Sequence, residues 1–389
     1  MKIRYLMLHA YGMGGTIRTV VNQANAMVRA GHEVEIVSVV RRREKAQFAI
    51  DPAVRLSSLA DQRKGRQPDS LPRKAWRRVR GKMVPRGEFA ADYFTERVEK
   101  AVMDYVAGLD DGVLVTTRPA LNLIAARRAG KGVIRVAQEH MNLNAYPETI
   151  RRDIARYYGR FDAVTVLTRT NQLEYQEILP DSKIVQIPNA VHRVDQERST
   201  QENPVMIAAG RLVPQKGFDF LIPAFAELVR EHPRWRLRIF GTGPRQAQLT
   251  ARIEELGMGE HISLMGRTER LDEELAAASV YVLSSRFEGL PMVMIEAMTH
   301  ALPVVAFDCP TGPRDVLTDG VDGLLVPPRD VDALAAALKE IALDRQRRLD
   351  MGAAAAVTAR DYGPDVVMPQ WERLFAELSQ EARSGQAGH

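Results

Sequence analysis

Short apolar runs recur along the chain, separated by stretches whose apolar residues return every three to four positions. The first run, Ile3 to Ala10, predicts a strand. Thr16 to Ala30 predicts a helix with Val20, Val21, Ala24 and Met27 on one face, and Gly31 fits its stop. Strands are expected next at Glu33 to Val40, Gly112 to Thr116, Gly132 to Gln138, Ala163 to Leu167 and Lys183 to Ile187. Helices are expected between them at Ala90 to Ala107, Ala120 to Ala129, Ile150 to Arg160 and Gln172 to Leu179. This alternation predicts a parallel, doubly wound sheet.

Residues 192–203 are polar and lack an apolar period, which reads as a linker. A second series of strands follows at Val205–Ala209, Arg236–Phe240, His261–Leu264, Val280–Leu283, Pro303–Ala306 and Gly323–Val326, with a helix over Phe218 to Glu231. The final stretch, Val366 to Ala382, is amphipathic, with Trp371, Leu374, Phe375 and Leu378 on one face.

Two clusters carry the candidate chemistry. Glu288-Gly289-Leu290-Pro291-Met292-Val293-Met294-Ile295-Glu296 follows the apolar run Val280–Leu283 and reads as a tight turn and a helix opening at Pro291. Proline suits a first helical position because its missing N–H has no partner there anyway. The unpaired N–H groups and positive dipole end of such a helix bind anions. Glu288 stands in the turn before this site and Glu296 about a turn and a half into the helix, so each carboxylate can face a hydroxyl-bearing group near the anion. Two Glu at this spacing also arise by chance on a solvated surface, and the pair gains weight from a cluster upstream. There Arg211-Leu212-Val213-Pro214-Gln215-Lys216-Gly217 lies between a strand and a helix. A planar guanidinium and a mobile ammonium in one strand-to-helix loop suit a diphosphate. Both clusters sit at carboxyl ends of expected parallel strands, the edge where open α/β sheets bind ligands.

Arg211 with Lys216, followed by Glu288 and Glu296, resembles the donor site of the retaining nucleotide-sugar glycosyltransferases of the GT-B fold, family 4. Smaller matches agree: Gly12-Met13-Gly14-Gly15-Thr16, Ile187-Pro188-Asn189-Ala190-Val191, Phe240-Gly241-Thr242-Gly243-Pro244 and Asp322-Gly323-Leu324-Leu325-Val326-Pro327. The resemblance covers nearly the whole chain, most strongly residues 204–330. It implies an α/β GT-B fold of two Rossmann-like domains facing across a cleft. Residues 1–190 would bind the acceptor, 191–204 form the linker and 205–365 bind the donor, with the helix at 366–382 packed back on the first domain.

The resemblance also implies roles. Arg211 and Lys216 hold the donor diphosphate and stabilise its departure, Glu288 faces the sugar hydroxyls, and Glu296 accepts from the ribose. The Gly14 and Gly15 amides, Gly243, Gly289, Leu290 and Pro291 complete the nucleotide-sugar site. His140, in Gln138-Glu139-His140-Met141-Asn142, stands where the family carries its active-site His; Met141 replaces the Asp common there, and Glu139 is an alternative. The expected reaction retains configuration through front-face attack, moving a hexosyl or N-acetylhexosaminyl unit, with UDP favoured over GDP. Positioning and charge do the work, with no cofactor and no metal.

Bulk properties then narrow the setting. A chain of 389 residues with 45% hydrophobic content fits two globular domains. No apolar run reaches the roughly 18–20 residues of a membrane span, and Lys2 to Leu8 reads as a first strand rather than a secretory segment. Cys309 is the single cysteine, so no intrachain disulfide forms and a cytoplasmic setting is expected. Net charge is +5, but ten Lys or Arg fall between Gln62 and Gly87 against one acid, Asp69, with Trp76, Val79 and Met83 at helical spacing. Arg73, Lys74, Arg77 and Arg78 in this stretch are expected to meet an anionic membrane surface or a glycan, lipid-linked or anionic-polymer acceptor; a basic surface loop is the plain alternative. No nucleic-acid module accompanies it. Three rivals stay open: a nucleotide-sugar epimerase, a non-catalytic sugar- or polyanion-binding module, and an oxidoreductase. The last is weakened by Ile17 where a third glycine would stand and by Arg41 where an acid would.

Overall fold

The computed structural model describes residues 1–63, 83–85 and 87–387. It consists of two compact units, Met1–Pro188 with Met368–His389 (unit 1) and Asn189–Val367 (unit 2). Arg73, Lys74, Arg77 and Arg78 lie outside the described residues.

Unit 1 runs β1 (Lys2–Met7), α1 (Gly15–Arg29), β2 (Glu33–Arg41), β3 (Arg55–Asp61), α2 (Glu96–Ala107), β4 (Val113–Thr116), α3 (Pro119–Arg128), β5 (Ile134–Gln138), α4 (Glu148–Tyr157), β6 (Ala163–Val166), α5 (Arg169–Ile178) and β7 (Ile184–Gln186). The seven strands are parallel in the order β3-β2-β1-β4-β5-β6-β7. Leu6, Val39, Leu114, Ala137 and Val164 from the sheet are buried with Val98 and Val102 of α2 and Leu121 and Ile124 of α3. The centre of the sheet is dry on both faces, because parallel strands are crossed by helices on each side.

Unit 2 runs β8 (Val205–Ala209), α6 (Phe218–Glu231), β9 (Arg236–Phe240), α7 (Gln246–Glu255), β10 (Ile262–Gly266), α8 (Leu271–Ala277), β11 (Val280–Leu283), α9 (Met292–Thr299), β12 (Val304–Phe307), α10 (Pro313–Val316), β13 (Gly323–Val326), α11 (Val331–Leu343) and α12 (Arg345–Thr358). Its six parallel strands take the order β10-β9-β8-β11-β12-β13. A last helix, α13 (Pro364–Ala387), begins in unit 2, and from Met368 onward it belongs to unit 1. There Trp371, Phe375 and Leu378 are buried, and Lys183 pairs with Glu381 at 2.8 Å.

Three expectations change. The strand β3 was not anticipated; it is a half-buried edge strand whose Arg55, Ser57 and Ser58 break the apolar signal. The helix expected over Ala90 to Ala107 is a single 3-10 turn at Ala91–Tyr93 followed by α2, restarted by Thr95, whose hydroxyl accepts from the Val98 amide. Residues 191–204, read as the linker, fall within unit 2: Ser199 N donates to His300 O at 2.8 Å and the Gln201 side-chain amide to Ala301 O at 2.8 Å.

Candidate functional site

In unit 2 the strand order reverses between β8 and β11, so the loops after both strands rise side by side, the arrangement in which open α/β sheets bind ligands. The chain leaves β8 at Gly210 and Arg211 and makes one 3-10 turn, Pro214–Lys216. Gly217 follows at φ 63°, and a Cβ there would stand 1.9 Å from Ser284 O. Only glycine allows the two loops to approach so closely.

This approach brings Lys216 Nζ to 2.6 Å from Glu288 Oε1. The Ser285 hydroxyl donates to the same oxygen. The Glu288 side chain is 7% exposed and that of Lys216 19%, so the carboxylate is nearly dry while the ammonium keeps an open side. An ammonium has three donors, which leaves Lys216 able to meet a further anion. The backbone of Glu288 is fixed by the loop after β12: its N–H donates to Pro310 O at 2.9 Å and its carbonyl accepts from Thr311 N at 3.2 Å. Gly289, Leu290 and Pro291 are buried in the turn, where Gly312 packs so that a Cβ would meet Pro291 Cδ at 2.8 Å. Pro291, expected as the first helical residue, is instead the N-cap of α9, which begins one position later at Met292. Glu296 lies half-buried on α9. The buried Tyr281 phenol is pushed to a higher pKa by desolvation, then by the charges of Glu288 and Glu296.

Arg211 is exposed and makes no ion pair with a described residue. Gly243, in the loop after β9, serves close backbone packing: a Cβ would stand 2.4 Å from Leu212 O, and Leu212 N donates to Thr242 O at 3.0 Å.

Unit 1 carries its own set at the equivalent sheet edge. Gly14 is the N-cap of α1, and Gly14 and Gly15 are both exposed. The first amides of an α-helix have no partner within the helix, and those of α1 begin at this exposed turn. His140 follows β5 by two positions. Neither ring nitrogen has a partner among the described residues. Burial, then the charge of Arg118, lowers its pKa to about 4, so the ring is neutral at pH 7 and offers one donor and one acceptor. Its neighbour Glu139 is occupied: Oε1 accepts from Asn122 at 2.7 Å and Tyr158 at 2.6 Å, and Oε2 from Tyr146 at 2.8 Å. Burial raises its pKa to about 7 against those three donors. Glu139 is therefore tied into the interior, which favours His140 over Glu139 as the ligand-facing group.

Several residues were not anticipated. Tyr281, Ser285 and Thr311 surround Glu288, and Arg118 is held near His140 by Glu88 at 2.8 Å. The expectation of no metal included the absence of any Asp-x-Asp, and that part is wrong: the chain contains Asp330-Val331-Asp332. It caps a helix: Asp330 accepts from Ala333 N at 2.9 Å at the start of α11. Among the described residues no group of three or more His, Cys, Asp or Glu is arranged to hold a metal ion, and no helix is long and apolar enough to cross a membrane.

Comparison with known proteins agrees with the fold. Residues 193–358 match the family model described as glycosyl transferases group 1. An exopolysaccharide phosphotransferase of Streptomyces coelicolor is 34% identical over 97% of this chain; the chain spans 41% of that relative's length. Among solved structures, Staphylococcus aureus TarM, crystallised with fondaparinux, α-GlcNAc-glycerol and UDP, superposes with TM-score 0.78 at 16% identity, covering 96% of this chain and 100% of that one. The pneumococcal O-GlcNAc transferase GtfA with UDP and GlcNAc gives TM-score 0.76 at 16% identity, covering 97% and 99%. The fold is GT-B, and the group 1 match supports a glycosyltransferase.

Proposed function

We propose that this chain is a retaining glycosyltransferase. It moves a hexosyl or N-acetylhexosaminyl unit from a nucleotide-diphosphate sugar, UDP-linked by preference, to a hydroxyl of a cell-surface glycan, lipid-linked or teichoic-acid-like acceptor. The observation that carries the reading is the Lys216–Glu288 pair at the switch point of unit 2. A half-open ammonium beside a buried carboxylate suits a ligand that joins an anionic diphosphate to a polyhydroxy sugar. Arg211 supplies a second cation on the same loop, and Glu296 a second carboxylate for the ribose. UDP in the crystals of TarM and GtfA supports the choice of base.

The roles follow from chemistry. Lys216 and Arg211 balance charge on the leaving diphosphate, the part a metal plays elsewhere. Glu288, held by Lys216 and Ser285, accepts from sugar hydroxyls. His140, neutral near pH 7, offers a hydrogen bond to a hydroxyl-bearing ligand of unit 1, where the amides of Gly14 and Gly15 add donors. The basic stretch containing Arg73, Lys74, Arg77 and Arg78 draws an anionic acceptor or membrane surface.

The test is turnover of a nucleotide-sugar panel, after a thermal-shift screen for the donor bound by the folded chain. Sugar transfer releases nucleoside diphosphate, whereas transfer of a sugar phosphate, the class suggested by the name of the Streptomyces relative, releases the monophosphate. Acceptor-dependent release of diphosphate is expected, falling about 100-fold in Lys216→Ala through loss of one preorganised charge. Release of monophosphate, or full activity in Lys216→Ala, sinks the reading.

A further inference from the structure

We propose that Arg286 is the positioning residue of the Lys216–Glu288 pair: locked on Asp219, its guanidinium fixes the loop after β11 against the loop after β8. The kinetic half of this inference rests on the glycosyltransferase reading; the structural half does not.

The two loops are joined by more than the pair itself. Arg286 donates from Nη1 to Asp219 Oδ1 at 2.9 Å and from Nη2 to Oδ2 at 2.6 Å. Nη1 also donates to Pro214 O. The guanidinium lies 4.2 Å from the centre of the Phe220 ring, and that ring meets Phe307 of β12 edge-on at 5.9 Å. Three bonds to main-chain carbonyls run beside this clamp. Arg286 N donates to Gln215 O at 2.7 Å, the Gln215 side-chain Nε2 to Phe287 O at 3.1 Å, and the Ser284 hydroxyl to Lys216 O at 3.0 Å. Lys216 is thus tied at its own carbonyl and through its neighbour Gln215, and Glu288 through its neighbour Phe287.

The clamp is built of parts that a lysine could not replace. Two parallel N–H···O bonds need a planar fork, and the same plane stacks on the ring. Asp219 stands in the first turn of α6, where the helix dipole favours a carboxylate. Arg286 and Asp219 are 21% and 32% exposed, so the pair is shielded enough to hold its geometry, and neither side chain bonds Lys216 or Glu288 directly. It acts through the loops, not on the ligand. A shift of about 1 Å in a reacting geometry can cost about 100-fold in rate, which is the scale on which a loosened clamp would be felt.

The experiment compares Arg286→Lys and Asp219→Asn with Lys216→Ala, alone and combined. Each clamp variant is expected to keep a cooperative melt and to lower kcat/KM for the donor roughly 10- to 100-fold. The loss should shrink to less than about 3-fold in the Lys216→Ala background, because residues acting through one group are not additive. Hydrogen exchange on the full chain supplies a readout independent of any donor: the Lys216, Gly217 and Arg286 amides should exchange faster in both clamp variants. Wild-type exchange at those amides overturns the proposal, as does a kinetic loss undiminished without Lys216. A chain that turns over no nucleotide sugar refutes the proposed activity instead, and the exchange result then decides the clamp alone. If Arg286→Lys fails to fold, Asp219→Asn carries both readouts.

Discussion

Changing Glu139 to Gln should reveal a pH dependence of stability that the wild-type chain conceals. Burial raises the Glu139 carboxyl from the usual 4.5 to about 7, while Tyr158, Tyr146 and Asn122 pull it down. Burial, then Arg118, lowers the adjacent His140 from 6.5 to about 4. At about 1.4 kcal/mol per pH unit, each displacement corresponds to about 3 kcal/mol between its limits. The signs oppose. Between pH 4.5 and 7 the folded chain keeps a proton on Glu139 that the unfolded chain has lost, so this contribution falls as pH rises. Between pH 4 and 6.5 the unfolded chain protonates His140 and the folded chain does not, so that contribution rises with pH. Over the shared window the two nearly cancel. Removing the carboxylate leaves the histidine slope: Glu139→Gln should gain about 3 kcal/mol relative to wild type as pH climbs from 4.5 to 7. His140→Gln should lose a similar amount relative to wild type from pH 4 to 6.5. Urea unfolding at half-unit pH steps, followed by the tryptophans of unit 1 in a Trp235→Phe background, measures both. A flat difference between Glu139→Gln and wild type would refute the idea of a burial-held proton at this site.

Two further outcomes are expected. Gly241→Ala should lower the melting temperature sharply, with a cost above about 3 kcal/mol, because φ is 142° and a Cβ would stand 1.8 Å from Gly210 O. Gly257→Ala, at φ 69° with open space around the Cβ, should cost only about 1 kcal/mol, and equal melting temperatures for the two variants would refute the steric argument. Excess EDTA should leave nucleotide-sugar turnover within about 2-fold of the untreated rate, since one preorganised charge partner typically contributes about 3 kcal/mol without a metal; a strict requirement for Mg²⁺ or Mn²⁺ in the same assay removes the metal-free part of the proposal.

Much of the scaffold was legible because its strands are buried on both faces. Val280–Leu283 and Val304–Phe307 are buried at every position, and each reads as an uninterrupted apolar run. Where burial is partial the signal fades, as at Arg55–Asp61. The site was legible only in pieces. Lys216 and Glu288 each follow an apolar run, but they lie 72 residues apart, and their contact depends on β11 settling beside β8, a pairing no local pattern encodes. Arg286 reads as a loop arginine until Asp219 and Phe220 are seen beneath it. Glu139 and His140 are neighbours with opposite environments. The partners that decide this, Asn122, Tyr146 and Tyr158, come from three separate segments. Asp330 shows the reverse case, in which a familiar short pattern is explained by local capping.

Because Met368–His389 belongs to the unit that otherwise ends at Pro188, that unit is still incomplete when its first 188 residues leave the ribosome. Trp371, Phe375 and Leu378 arrive only after all of Asn189–Val367 has been synthesised, roughly 10–40 s later at ordinary elongation rates. Through that interval the unit-1 surface against which these side chains are buried stays uncovered, while the continuous second unit can already fold. Recombinant yield should therefore depend on Met368–His389, and removing that segment would burden the unit that was translated first.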